Sequence, residues 1–249
     1  MTAPEEIPRR RRWLPPRPLV VSKRLHDLGS VPEPRRGGME RVIGIDAHDT
    51  TEILLIRHGH IPASNAQQDA SLTETGREQA AVLAAYLARE KPLHAVFSSP
   101  LRRCLETAEA IAEAQSLSVT TDPDLRELDI SLPPETSLRE AMGDHAWTKY
   151  REKTQHTRRW DDENPYYEKS ASIRARARRA VDAAIAGHRG GRVAVVTHSP
   201  VLNAYIAEVL GCEIDIVYQP RVASISIVWA RDELRTLRVL NSTAPFGTL

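Results

Sequence analysis

From about residue 53 onward, short apolar runs alternate with longer amphipathic stretches. Ile53-Leu54-Leu55-Ile56 is a continuous apolar run of strand length. Thr73 to Arg89 repeats apolar residues at helical spacing, with Ala80, Leu83, Ala84 and Leu87 on one face and Thr73 placed to cap the helix. His94 to Ser98 reads as a second strand, and Leu101 to Glu113 as a second helix started by Pro100. Leu117 to Thr121 is a third strand, and Ser172 to His188 a long Ala/Arg-rich helix. Arg192 to Thr197 carries the buried run Val193-Ala194-Val195-Val196. Pro200 to Leu210 is the next helix, closed by Gly211, and Ser224 to Ala230 with Leu234 to Leu240 reads as a terminal hairpin.

Strands alternating with helices predict an α/β fold, a three-layer α/β/α sandwich around a mostly parallel sheet. Residues 132–168 break the rhythm. They hold Trp147, Tyr150, Trp160, Tyr166 and Tyr167 among many charges, and read as an insertion over the active-site edge of the sheet. Its aromatics are expected mainly as core. Arg174, Arg176, Arg178 and Arg179 are expected on a solvated helix face.

Composition changes this picture at one end. The net charge of +1 hides a segment, residues 1–41, with ten Lys/Arg, five Asp/Glu and seven of the 17 prolines. It includes Arg9-Arg10-Arg11-Arg12 and cannot bury enough apolar surface to offset its ordering entropy. The prolines and Arg17 interrupt Leu14 to Val21, so neither a secretory nor a twin-arginine signal fits. A disordered extension is expected, a basic arm for weak contact with nucleic acid or anionic lipid is the alternative, and a translation start at Met39 would remove the segment altogether. No apolar run approaches the ~18 residues of a membrane span. Two cysteines, Cys104 and Cys212, fit no metal spacing and suit free thiols in a reducing, cytoplasmic setting, with Cys104 acting as a small buried apolar residue.

Four segments at predicted strand ends carry the chemistry: Arg57-His58-Gly59, Ser98-Ser99-Pro100-Leu101-Arg102-Arg103, Leu125-Arg126-Glu127 and Thr197-His198-Ser199. A parallel sheet brings such ends to one edge, where ligands bind. Arg57 and Arg103 are planar, permanent cations that match phosphate oxygens. Gly59 allows a sharp turn and close approach of a ligand. His58 suits a nucleophile, and His198 a further donor if protonated. Glu127 suits a proton donor, its pKa raised by a phosphate and neighbouring carboxylates. His58 and His60 flank Gly59, but no acidic or cysteine cluster completes a metal site, so neither metal nor other cofactor is expected.

These four segments, with Leu72-Thr73-Glu74-Thr75-Gly76-Arg77-Glu78-Gln79-Ala80 and Thr107-Ala108, resemble the histidine phosphatase, or phosphoglycerate mutase-like, superfamily over roughly residues 50–243. The resemblance implies a catalytic domain in which His58 attacks phosphorus and forms a phosphohistidine. Arg57, Arg103 and His198 would hold the phosphoryl oxygens, and Glu127 would protonate the leaving oxygen. Arg103 rather than Arg102 takes the phosphate contact by the family pattern. Asn65 corresponds to a phosphate ligand with a one-residue shift, and Ser64 competes for that place. Asp129-Ile130-Ser131-Leu132-Pro133 departs from the Gly-x-Trp-Glu-Gly stretch that follows the acid in many members.

The expected activity is metal-independent hydrolysis of a small phosphomonoester. The ordinary spacing from Glu127 to His198 favours this over a mutase. A silent binding module of the same fold is the third reading, and retention of all five site residues speaks against it. The expected partner is a small phosphorylated metabolite, with no membrane.

Overall fold

The computed structural model describes residues 50–62, 69–133, 136–160 and 164–247. The 1–41 extension and Met39, as well as Ser64 and Asn65, lie outside the described residues.

Strand β1 is Thr51–Arg57, followed by α1 (Glu74–Arg89), β2 (Ala95–Ser98), α2 (Arg102–Glu113) and β3 (Val119–Thr121). Helices α3 (Leu138–Met142), α4 (Asp144–Thr157) and α5 (Ser170–Gly187) follow. The chain then forms β4 (Arg192–Thr197), α6 (Ser199–Leu210), β5 (Ile225–Arg231) and β6 (Leu234–Ser242). The sheet order is β3-β2-β4-β1-β5-β6. The first four strands in that order are mutually parallel, and β5 and β6 add an antiparallel edge.

Alternation along the central strands explains the layers. Ile53, Leu55, Val193 and Val195 pack with Ile173, Ala177 and Val181 of α5 and Leu202 and Ile206 of α6. Their neighbours Leu54, Ile56, Ala194 and Val196 pack with Leu83 and Leu87 of α1 and Ile111 of α2. All six residues of β4 are buried, as a parallel strand covered on both faces requires. Among the described residues no helix is long and apolar enough to cross a membrane.

Local signals act largely as expected. The Thr73 hydroxyl accepts from the Gly76 amide at 3.0 Å and caps α1. Gly211 adopts φ 63° and closes α6. Pro100, by contrast, precedes α2 rather than opening it: Leu101 is the N-cap and the helix starts at Arg102. The irregular 132–168 segment contains helices that hydrophobic period did not show. Its capping box, Ser137 with Glu140, was a readable start signal for α3. Tyr150 and Trp160 are core, joined by a 2.7 Å bond from the Tyr150 hydroxyl to the Trp160 carbonyl, whereas Trp147, Tyr166 and Tyr167 are half-buried. An isolated bridge, Ile130 to Tyr167, ties the segment beside the Glu127 loop.

One correction concerns α5. Arg178 and Arg179 are exposed as expected, but Arg176 is 2% exposed and Arg174 is also largely covered. Arg176 lies three residues after Ile173 and four before Ala180, on the apolar face of the helix.

Two glycines set the turn after β1. A Cβ on Gly59 would meet the Gly76 carbonyl oxygen at 2.7 Å, and a Cβ on Gly76 would meet the His60 carbonyl oxygen at 2.2 Å. Both obstacles are backbone. Gly76→Ala is therefore expected to destabilise the protein by about 2 kcal/mol despite alanine's better helix propensity, since overpacking typically costs more than that propensity returns. Urea denaturation checks this, and unchanged stability would contradict the close approach.

Candidate active site

Strand register assembles the site. Arg57 on β1 pairs with Thr197 on β4, so His58 and His198 leave adjacent strands side by side. Ser98 on β2 pairs with Val196, which brings Ser99 and the start of α2 to the same edge. The two imidazoles lie 5.3 Å apart, centroid to centroid. The Thr197 hydroxyl donates to the Leu125 carbonyl at 2.7 Å and fastens the third segment, Leu125-Arg126-Glu127, to the end of β4. The sheet thus gathers Arg57, His58, Gly59, Arg103, Glu127 and His198.

His58 is buried, with Nδ1 2.7 Å from the Gly59 carbonyl oxygen. A carbonyl only accepts, so Nδ1 carries the proton and Nε2 keeps its lone pair. Burial pushes the His58 pKa down to about 3, aided by Arg103 and Arg57 and opposed by the Gly59 bond. The imidazole is neutral across the physiological range. The Gly59 amide donates to the Thr107 hydroxyl at 3.1 Å, and that hydroxyl donates to the Arg103 carbonyl at 2.8 Å. This explains the Thr107-Ala108 motif: threonine links the β1 turn to α2.

Arg103 is 1% exposed and lies 3.4 Å from the Glu127 carboxylate. Arg57 donates to the Pro220 carbonyl at 2.7 Å, while its Nε is buried without a hydrogen-bond partner among the described residues. His198 Nε2 lies 2.8 Å from the Ser99 hydroxyl, and Nδ1 lies 3.4 Å from the Glu127 carboxylate. Burial, then the Arg103 charge, holds the His198 pKa well below its usual value. Burial thus favours the neutral His198 imidazole, and protonated His198 would act as a donor only with an anion beside it. It is also the N-cap of α6, whose positive end favours an anion beside it.

Glu127 is 28% exposed and accepts from the Leu128 amide at 2.9 Å. Its pKa is raised, and the cause is burial, with the Leu128 bond and the Arg103 and Arg57 charges opposing. No neighbouring carboxylate is among the main causes. Cys104 is buried as expected, but its Sγ is 3.4 Å from His198 Nε2, a contact the sequence did not suggest. Burial raises its thiol pKa and keeps it protonated.

His58, Glu127 and His198 present donor atoms within 4.8 Å of one another, the types a metal ion takes. His60 is not among them: it is exposed, with Nδ1 2.9 Å from the Thr73 hydroxyl. Two guanidiniums against one carboxylate leave the site positive, which suits an anion better than a divalent cation. A cavity of about 700 Å³ lies at the other end of β1, lined by Thr51, Asp182, Arg189, Asp232 and Arg235; among the described residues no imidazole or thiol lines it.

Residues 53–243 match the sequence profile of the histidine phosphatase superfamily, branch 1. The chain belongs to that superfamily. A relative from Mycobacterium tuberculosis, named as a bifunctional protein, is 31% identical over 205 residues, 78% of this chain and 54% of its own length. This chain therefore spans about half of that relative. A probable phosphoglycerate mutase of Erwinia tasmaniensis is 30% identical, covering 71% of this chain and 82% of its own. Phosphoserine phosphatase 1 of Hydrogenobacter thermophilus is 29% identical, covering 79% and 94%. In three dimensions, a mycobacterial glucosyl-3-phosphoglycerate phosphatase solved with VO3 shares the fold at TM-score 0.65, 24% identity, 77% of this chain and 99% of that one. Among histidine phosphatases, relatives of this chain thus carry names of both phosphatases and mutases.

Proposed function

We propose that this protein is a metal-independent phosphomonoester hydrolase working through a phosphohistidine on His58. The observation that carries the reading is the neutral, buried His58, its Nδ1 committed to the Gly59 carbonyl, set beside two guanidiniums. In this reading Arg57, Arg103 and His198 bind the phosphoryl oxygens, Gly59 lets the ligand approach closely, and Asn65 adds a further phosphate contact. His58 Nε2 attacks phosphorus, the ester P–O bond breaks, and Glu127 gives its proton to the leaving oxygen. Glu127 then takes a proton from water, which attacks phosphorus; the P–N bond breaks and its electron pair returns to Nε2. Fixed cations around the equatorial oxygens stabilise the spread charge of both transition states. The raised pKa of Glu127 fits a group that must start protonated.

Residues 50–243 would form the catalytic domain, and the insertion at 132–168 would select the leaving alcohol of a small phosphorylated metabolite. Its half-buried Tyr167 lies within electrostatic reach of Glu127. Two free thiols fit a reducing, cytoplasmic setting. The test is release of inorganic phosphate from an aryl phosphate, with a chelator present, followed by a panel of small phosphoesters. Turnover that survives the chelator supports the reading. No turnover across the panel, or phosphoglycerate interconversion without phosphate release, would overturn it.

A further inference from the structure

Arg176 stands outside the chemistry just described, and its buried guanidinium is bonded to the loop that carries Glu127. Its Nε and one N–H of Nη2 grip the Glu168 carboxylate as a fork, at 2.9 and 2.8 Å. Nη1 donates to the carbonyls of Asp124 at 2.8 Å and Arg126 at 2.6 Å, and Nη2 donates to the carbonyl of Glu127 at 3.0 Å. All five donors of the guanidinium are thereby used. Three of them fix the backbone of the loop that carries the proposed proton donor.

Glu168 completes the clamp. Its carboxylate, 6% exposed, also accepts from the Ser172 hydroxyl at 2.8 Å, and its amide donates to the Asp129 carbonyl at 2.8 Å. That amide bond and the Arg176 bonds to residues 124, 126 and 127 grip the loop on both sides of Glu127. The surface ion pairs of this loop, Arg126 with Asp129 and Arg179 with Asp124, each include a largely exposed partner and hold it only weakly, while the Arg103 ion pair is made to the Glu127 side chain and not to the loop backbone. A buried ion pair adds little net stability over apolar residues of equal volume, because desolvation offsets its attraction. What this one supplies is direction: a planar fork that sets where three carbonyls lie.

Resting on the phosphatase reading, we infer that Arg176 and Glu168 are a positioning pair that aims the Glu127 carboxyl at the leaving oxygen. Lysine cannot replace Arg176, having three donors and no planar fork. The consequence is specific to leaving groups. A nitrophenolate departs with little help from a proton, whereas an alkoxide needs one.

The test compares kcat/KM for p-nitrophenyl phosphate and for a simple alkyl phosphate. It uses the wild-type chain, Arg176→Lys, Glu168→Gln and, as reference, Glu127→Gln. kcat/KM ends at departure of the leaving group, so later hydrolysis of the phosphoenzyme does not enter. Arg176→Lys and Glu168→Gln are expected to lose roughly a hundredfold on the alkyl ester, the low end of a general acid's contribution, and only about threefold on the aryl ester. Should Arg176→Lys fail to fold, Glu168→Gln, which keeps a carbonyl for Arg176, decides alone. Equal losses on both esters would overturn the inference, since that is what general loosening of the fold produces. If Glu127→Gln itself shows no discrimination while the wild type is active, the positioning role falls and the phosphatase reading stands. If the wild type cleaves neither these two esters nor any member of the phosphoester panel, both fall.

Discussion

His58→Ala is expected to lower phosphate release by on the order of 10⁴-fold or more, the range seen when a covalent nucleophile is removed. No neighbour in the described site can take its place. The other imidazole, His198, has Nε2 against the Ser99 hydroxyl and Nδ1 facing Glu127. Cys104 is buried, and its thiol is held protonated by that burial. The measurement is phosphate release, with a parallel quench to trap the phosphoenzyme. A phosphohistidine survives alkali and is lost in acid, the reverse of a phosphoserine. Wild-type protein should yield the alkali-stable adduct and the variant none. Turnover within about tenfold of wild type would remove His58 from the chemistry.

The second large effect is acid sensitivity of the fold. His58 and His198 are buried and neutral, with folded pKa values of about 3 and well below 6.5 respectively. The unfolded chain protonates both near 6.5. A depressed folded pKa contributes stability that is full above 6.5 and is lost as pH falls toward the folded value. At pH 5 His58 has given up about 2 kcal/mol relative to pH 7.5, and His198 adds to the loss in the same direction. Glu127 works in the opposite sense: its raised pKa favours the folded state as pH falls, which offsets part of the loss. Urea denaturation at the two pH values measures the difference, and His58→Ala should remove the His58 part of it. Equal stability at pH 7.5 and pH 5 would show that the fold accepts protons at these rings. Inorganic phosphate should reduce the acid loss, since an anion between the rings and the guanidiniums favours their protonated forms.

Reading the elements from the chain works best where one force decides. Val193-Ala194-Val195-Val196 is apolar because β4 is buried on both faces, and its place in the sequence needs no knowledge of its neighbours. The α1 start needs only Thr73 and Gly76. Reading fails where several weak signals compete. In 132–168 the aromatics serve local packing around Tyr150 and Trp160, so no clean helical period marks α4, while the capping box at Ser137 carries the signal for α3 alone. Arg176 was obscured differently. Its arginine neighbours suggest a wet face, yet Ile173, Ala177 and Ala180 place it on the dry one. Spacing held that information; composition hid it.

The sequence by itself determined which chemical groups stand at the strand ends and in what order: two guanidiniums, two imidazoles and a carboxyl. Strand ends are local features, and parallel pairing follows from the alternation of elements, so their meeting at one edge needed only the fold class. The tertiary structure alone decided the direction of the pKa shifts. Desolvation depends on every atom packed around a group, and it lowers the pKa of His58 and His198 and raises that of Glu127. It also decided the partners of Arg176, whose carbonyl contacts lie about fifty residues away in the chain, beyond the reach of any local period.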